Sequence, residues 1–514
     1  MTPDDVTSVA YVRHFVKELT PTLLRAAAAL NGIVPPPAED FDYCELGSGR
    51  GDTMCALAAA YPRARFVGVD LSREHVAFAN DLAKRGGVTN VRFVDRDIED
   101  LAAQALPAFD YVCAHGILTW IAPEKRRALF RIAASKLKPG GVLYLGYNAQ
   151  PGWAAIEPLR RLMLETSSAV DGDLAARVRY GLDVARVFAE GGAEYFAGSP
   201  AARELLATTL RMGVPYAAHE YFVADWHPMY FADVAREAGE HGLCFAGQLP
   251  LYRAVPELVV PRSLTNVLAR VKDRMAFETL ADFATNAFFR HDLFVGGAAR
   301  LDGATRRAWA ETTPFGTLVP AEEIKREVRL PHHTLRYDGP IFDALVARLA
   351  ERRANVNELA RELALGSFGR DALRDAVLQL AYGEQVTPML AASARAPSGS
   401  RGRLRLPLPY NRAVLHQRLS SQHPILFASP SSGTAYSLSP LHAVALLALT
   451  DVEPADRAAW IHAVVNGHSL RLWVRDRAVD SKEEQASIID KEIEAFRTKR
   501  LPKLVELGIV ENGE

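Results

Sequence analysis

An apolar strand that runs straight into three alternate glycines leaves few folds open to the chain around it. The segment is Tyr43-Cys44-Glu45-Leu46-Gly47-Ser48-Gly49-Arg50-Gly51-Asp52, and a helix is expected to begin near Thr53. Glycine permits the positive φ of a tight turn and lets a ligand lie close to the backbone. The helix that follows presents unpaired N–H groups toward the turn. A dinucleotide-binding turn reads Gly-x-Gly-x-x-Gly and makes room for a pyrophosphate. Here the third glycine comes early and Glu45 stands just before the first. An acid in that place is a poor neighbour for a diphosphate and a better one for a cationic or amino-bearing ligand.

The surroundings repeat a strand–helix alternation, the pattern of a doubly wound α/β sheet. Strands are predicted at 42–46, 65–70, 91–94, 111–114 and 141–147, after a helical lead-in over 6–30 that carries Tyr11, Phe15, Leu19 and Leu23 at helical spacing and is broken by the prolines at 35–37. Two more acids end strands. Asp70 closes the second, where a carboxylate can grip both hydroxyls of a ribose. Asp97 follows the third in Val94-Asp95-Arg96-Asp97-Ile98, where a carboxylate can accept an adenine amino group, with Asp95 as the competing choice. Taken singly, each acid reads as a cap or turn residue. Acids at three successive strand ends all fall on the carboxyl edge, where open α/β sheets bind ligands.

Other function classes lose ground on the totals. The 514 residues carry 60 basic and 61 acidic side chains, so charge gives no reason to expect nucleic acid or a membrane surface as partner. No apolar run approaches the roughly 18 residues needed to span a bilayer, and the N-terminus lacks the basic and then apolar regions of a signal peptide. Four scattered cysteines (Cys44, Cys55, Cys113, Cys244) predict neither a disulfide framework nor a zinc site, and with it a cytoplasmic protein.

The glycine loop and its acids resemble those of the class I S-adenosylmethionine-dependent methyltransferases. The resemblance implies that Gly47, Ser48, Gly49 and Gly51, with Glu45, hold the methionine part of the cofactor, that Asp70 and Leu71 flank the ribose, and that Asp97 and Ile98 meet the adenine; Tyr11 and His115 are further cofactor candidates. The order of later segments narrows the likeness: His115-Gly116-Ile117-Leu118-Thr119-Trp120, Tyr147-Asn148-Ala149-Gln150-Pro151-Gly152-Trp153, His219-Glu220-Tyr221-Phe222, and Phe288-Phe289-Arg290-His291-Asp292. It is similar to bacterial proteins that join such a core to a methyltransferase regulatory domain, among them the rickettsial protein lysine methyltransferases. That family's middle motif reads Arg-Phe-Arg; this chain has Ala287-Phe288-Phe289-Arg290 instead.

The expected architecture is a Rossmann-like α/β methyltransferase sheet with a helical insertion, followed by winged-helix-like and mostly helical C-terminal domains. The boundaries read as 1–153 (cofactor-binding core), 154–212 (helical insertion and candidate homodimerisation element), 213–260 (return to the core sheet), 261–392 (middle regulatory domain with a winged-helix-like unit at 340–389) and 404–514, after a Ser/Gly/Arg-rich linker at 393–403.

Methyl transfer from a sulfonium calls for an in-line nucleophile and removal of its proton, with no metal, so positioning supplies most of the protein's contribution. A lysine amine has to arrive neutral although its unperturbed pKa is about 10.4; an apolar pocket lowers that value, and aromatic walls orient an alkylammonium. Trp120, Tyr147, Trp153 and Tyr221 are the candidate walls, with core packing as the alternative for each. His115 is the candidate proton acceptor, and Asn148 and Glu220 are candidates to orient the amine. Three acceptors stay open at this point: a protein lysine, a small molecule, or none, with the chain only binding the cofactor as a regulator. In the winged-helix-like stretch, Glu351-Arg352-Arg353 and Arg370-Asp371 mix signs where DNA requires a basic face, which favours a docking role over a nucleic-acid partner.

Overall fold

The computed structural model describes residues 15–101, 106–297, 299–390, 404–417, 423–467, 473–474, 477–479 and 481–512. Its centre is one seven-stranded sheet of β1 (Asp42–Leu46), β2 (Arg65–Asp70), β3 (Val91–Asp95), β4 (Phe109–His115), β5 (Leu137–Asn148), β6 (Leu243–Leu249) and β7 (Phe289–Gly296), in the order β3-β2-β1-β4-β5-β7-β6. The first five run parallel, and β7 enters antiparallel between β5 and β6. Every residue of β1 is buried, as a parallel strand covered on both faces requires. One face carries Tyr43, Tyr111, Tyr144 and Leu293, the other Leu46, Val112, Leu145, Tyr147 and Phe294.

The helices between strands follow from local signals. Ser72 accepts the His75 N–H and starts a helix at Arg73–Arg85, while Pro123 opens Pro123–Lys136 as the first helical residue. The lead-in differs from the continuous helix expected. Thr20 is extended (φ −70°, ψ 123°) because Pro21 follows it, so a short turn at Lys17–Leu19 is separated from α1 (Pro21–Leu30). The stop for α1 is Asn31-Gly32, with Gly32 at φ 77°, ahead of the prolines. Tyr11 and the linker at 393–403 lie outside the described residues.

Residues 157–212 are helical as expected and build a core of their own around Trp153, Val178, Leu206 and Tyr221. The boundary at 260 is corrected. The seventh strand comes from 289–296, so the core sheet reaches well into the segment read as a separate middle domain. Beyond it, Pro340–Glu351, two single turns at Val356–Leu359 and Leu363–Gly366, and Arg370–Tyr382 lead to Thr387–Pro388, which pairs with Phe315–Gly316. The first of those turns carries a reciprocal Asn355–Glu358 capping box.

In the C-terminal part, a hairpin of Ile425–Ser429 and Thr434–Leu438 lies against α2 (Asp52–Ala60), the helix that leaves the glycine loop. Thr434 Oγ1 is 3.2 Å from Thr20 Oγ1. No helix among the described residues is long and apolar enough to cross a membrane.

Candidate active site

The glycine loop is folded back on the neighbouring strand: the N–H groups of Gly47 and Ser48 both donate to the Val69 carbonyl, at 2.8 and 3.0 Å. Gly47 sits at φ 78°, and a Cβ there would run into the Ile117 side chain. Gly51 sits at φ 73°, and its Cβ would lie 2.7 Å from both Ala79 and Phe93. Both glycines are therefore required by conformation and by space. Asp70 clamps the turn, accepting from Gly49 N–H (2.7 Å) and Ser72 N–H (2.9 Å), with His75 Nδ1 at 3.3 Å.

The cavity this creates is lined by Val16, Glu45, the loop from Gly47 to Thr53, and His115. Val16 is held over it by a hydrogen bond from its N–H to Thr53 Oγ1, 3.1 Å. Glu45 is 5% exposed, and its Oε2 has no hydrogen-bond partner. Burial, with a smaller push from Asp70, raises its carboxyl to about 8. A buried carboxylate without a partner is costly, and an ammonium group placed against it removes the cost. The donor set thus fits an amino-bearing ligand in the glycine turn.

One strand further out, Asp97 pairs with Lys125 and accepts the Glu99 N–H at 3.1 Å. Burial pushes this carboxyl up, but Lys125 and the backbone N–H groups of Glu99 and Ile98 outweigh it and hold it below its usual range. Ile98 opens a single helical turn, Ile98–Leu101, and packs half-buried under the sheet. Asp95 is turned instead to the exposed Arg73, 3.3 Å away. Leu71 is 53% exposed just past the end of β2.

Strand alternation aligns Glu45, His115, Tyr144 and His291 on one face at the carboxyl edge of the sheet. Tyr144 is fully buried, and its hydroxyl lies 2.9 Å from His115 Nδ1 and 2.7 Å from His291 Nδ1. A phenol has one proton to give, so one imidazole donates to it while the other accepts, and the two tautomers are linked. Burial, with help from His115, drops His291 to about 3, so it stays neutral.

Asn148, at the end of β5, donates its backbone N–H to Thr119 Oγ1 (3.0 Å) and its side-chain N–H to Glu220 Oε1 (2.9 Å). Trp120 Nε1 donates to the Glu220 carbonyl at 3.1 Å. Burial lifts the Glu220 carboxyl to about 7, partly offset by Asn148.

Three expected residues do not join this edge. Tyr147 points to the opposite face, where its hydroxyl donates to Asp292 Oδ2 at 2.5 Å inside a buried cluster of Arg290, Asp282 and Glu278. Trp153 is 1% exposed, stacks on Phe288 at 4.4 Å and donates Nε1–H to the Phe288 carbonyl. Tyr221 is equally buried in the helical core, its hydroxyl 3.4 Å from Thr209 Oγ1. For these three the packing alternative describes the structure. Tyr144 and His291 escaped the sequence reading because a tyrosine in an apolar strand and a histidine between charged residues carry no signal of their pairing.

Residues 44–141 match the family model of a methyltransferase domain, and residues 214–296 that of a predicted methyltransferase regulatory domain. In three dimensions the second match supplies Glu220 and strands β6 and β7, so it completes the catalytic sheet. An uncharacterised protein of Synechocystis is 29% identical over 98% of both chains. A trans-aconitate 2-methyltransferase of Deinococcus radiodurans is 31% identical over 30% of this chain and 54% of its own. Among solved structures, PKMT2 from Rickettsia typhi in complex with AdoHcy shares the fold over 97% of this chain and 99% of its own, with a TM-score of 0.72 and 17% identity. The chain thus carries a methyltransferase domain joined to a methyltransferase regulatory domain, and the cofactor this implies is S-adenosylmethionine.

Proposed function

We propose that this enzyme methylates lysine side chains of proteins at the edge formed by His115, Trp120, Asn148 and Glu220. The observation that carries the reading is the Asn148–Glu220 pair, a buried carboxyl raised to about 7 and held 2.9 Å from an amide at the end of β5. An incoming ammonium would bring this carboxyl the positive charge that Asn148, a neutral amide, does not supply. Glu220 as carboxylate takes one proton from the ammonium, leaving a neutral amine with its lone pair free and a protonated acid hydrogen-bonded to Asn148. Desolvation at this edge lowers the amine's pKa toward that exchange. The likeness to PKMT2 supports a protein acceptor.

In this reading Glu45 holds the cofactor's amino group, Gly47, Ser48, Gly49 and Gly51 line its methionine part, Asp70 and Leu71 flank the ribose, and Asp97 and Ile98 meet the adenine. The cofactor supplies an electrophilic methyl group. The chain's own groups position the two reactants and, at Glu220, take up the proton.

A trans-aconitate-like acceptor is favoured by the sequence relative. It fits the edge less well, because a polycarboxylate would face Glu220 and an amide where it needs cations. Incubating the enzyme and Glu220→Gln with labelled S-adenosylmethionine, against protein extract and against metabolite extract, tests the reading. Label in protein lysines, lost on substitution, is expected; label confined to small molecules overturns it.

A further inference from the structure

A second cavity, of about 310 Å³, opens where the lead-in, the end of β6, the middle part and the C-terminal hairpin meet. Its volume sits at the lower end of small-molecule sites, about 300–1,000 Å³. The wall is mostly apolar, with Leu23, Leu249 and Leu318 contributed by three separate parts of the chain. Its charges are Lys17, Glu18 and Glu384. Lys17 Nζ is 2.6 Å from Glu384 and 4.0 Å from Glu18. One ammonium thus faces two carboxylates, and Glu18, with a side chain only 19% exposed, has the weaker share. An apolar chamber with one under-neutralised carboxylate matches a ligand with an apolar body and a single positive charge. An anionic ligand would find the one cation among the described lining residues, Lys17, already engaged.

The chamber also shares a wall with the cofactor pocket. Val16 lines the cofactor side and is bonded to Thr53, while the next two residues, Lys17 and Glu18, line the second cavity. A ligand that packs behind Lys17 and Glu18 therefore presses on the segment that covers the glycine loop.

We propose that this cavity binds a small amphipathic amine as an effector whose occupancy is coupled to cofactor binding. The proposal is independent of which acceptor the enzyme methylates.

The test uses the full-length enzyme and hexylammonium as probe, with hexanoate as the charge-reversed control, by calorimetric titration with and without S-adenosylhomocysteine. Hexylammonium is expected to bind at least about tenfold more tightly than hexanoate. Glu18→Gln is expected to weaken it by about tenfold, the order of one hydrogen bond to a charged group. Leu318→Trp, which fills the chamber away from the cofactor pocket, should abolish it. Hexylammonium and S-adenosylhomocysteine should change each other's affinity by the same factor. No binding, equal or tighter hexanoate binding, an unchanged affinity in Glu18→Gln, or no mutual effect would overturn the proposal. So would recovery of methylated hexylamine after incubation with S-adenosylmethionine, which would make the probe an acceptor. Should Leu318→Trp fail to fold, the charge comparison on the wild type and Glu18→Gln still decides.

Discussion

Glu45 offers the sharpest prediction because one carboxyl is asked to do opposite things in the free and loaded enzyme. Its pKa is raised by burial from 4.5 to about 8. The fold therefore favours the protonated acid: its contribution is fully present below about pH 4.5 and is lost as pH climbs toward 8, since the unfolded chain holds fewer protons across that window. At pH 7 the cost is about 2.5 units at 1.36 kcal/mol each, roughly 3 kcal/mol. Glu45→Gln removes the titration, so the free protein should gain up to about 3 kcal/mol at pH 7 and little at pH 4.5.

Cofactor binding should move the other way. A charge-assisted hydrogen bond contributes about 1.5–3 kcal/mol, so the same substitution should weaken S-adenosylmethionine binding by about ten- to a hundredfold. Wild-type affinity should rise between about pH 6 and 7.5 as the deprotonation cost shrinks, until the ligand's own amino group titrates near 7.7–8.0. Calorimetric titration at three pH values, paired with thermal melts of the free protein, measures both arms. An affinity unchanged by Glu45→Gln, or flat with pH in the wild type, would refute the pairing of Glu45 with an ammonium.

Asp70→Ala removes the acceptor for Gly49 N–H and Ser72 N–H as well as the ribose contact proposed for it, and calorimetry should show cofactor affinity falling by at least about tenfold. Tyr144→Phe leaves two half-buried imidazoles without their shared hydroxyl, so a melt should register a loss of about 1–3 kcal/mol while cofactor affinity holds. Trp153→Ala should destabilise the enzyme by about 3–5 kcal/mol as a packing change. A normal melting temperature with a raised acceptor KM would return Trp153 to the substrate pocket.

What could be read from the chain itself was local. Three glycines, and the acids Glu45, Asp70 and Asp97, name their own positions because a positive φ and a strand-end carboxylate are decided within a few residues. Strands β1 and β2 were legible to the residue, since apolar runs bounded by a turn and a glycine loop admit one reading. Strand β7 was not. Its Arg290 and Asp292 look like surface residues, and only tertiary structure pairs them with Asp282, Glu278 and Tyr147 in the dark of the core. Burial without a partner is costly, so charged residues enter a core only where distant segments neutralise them, and the sequence does not record which segments those are. The acceptor edge obeys the same rule. Asn148 and Glu220 lie far apart in the chain, Tyr144 joins two histidines from different strands, and the side on which Tyr147 falls depends on a two-residue alternation whose phase the packing of the sheet alone sets.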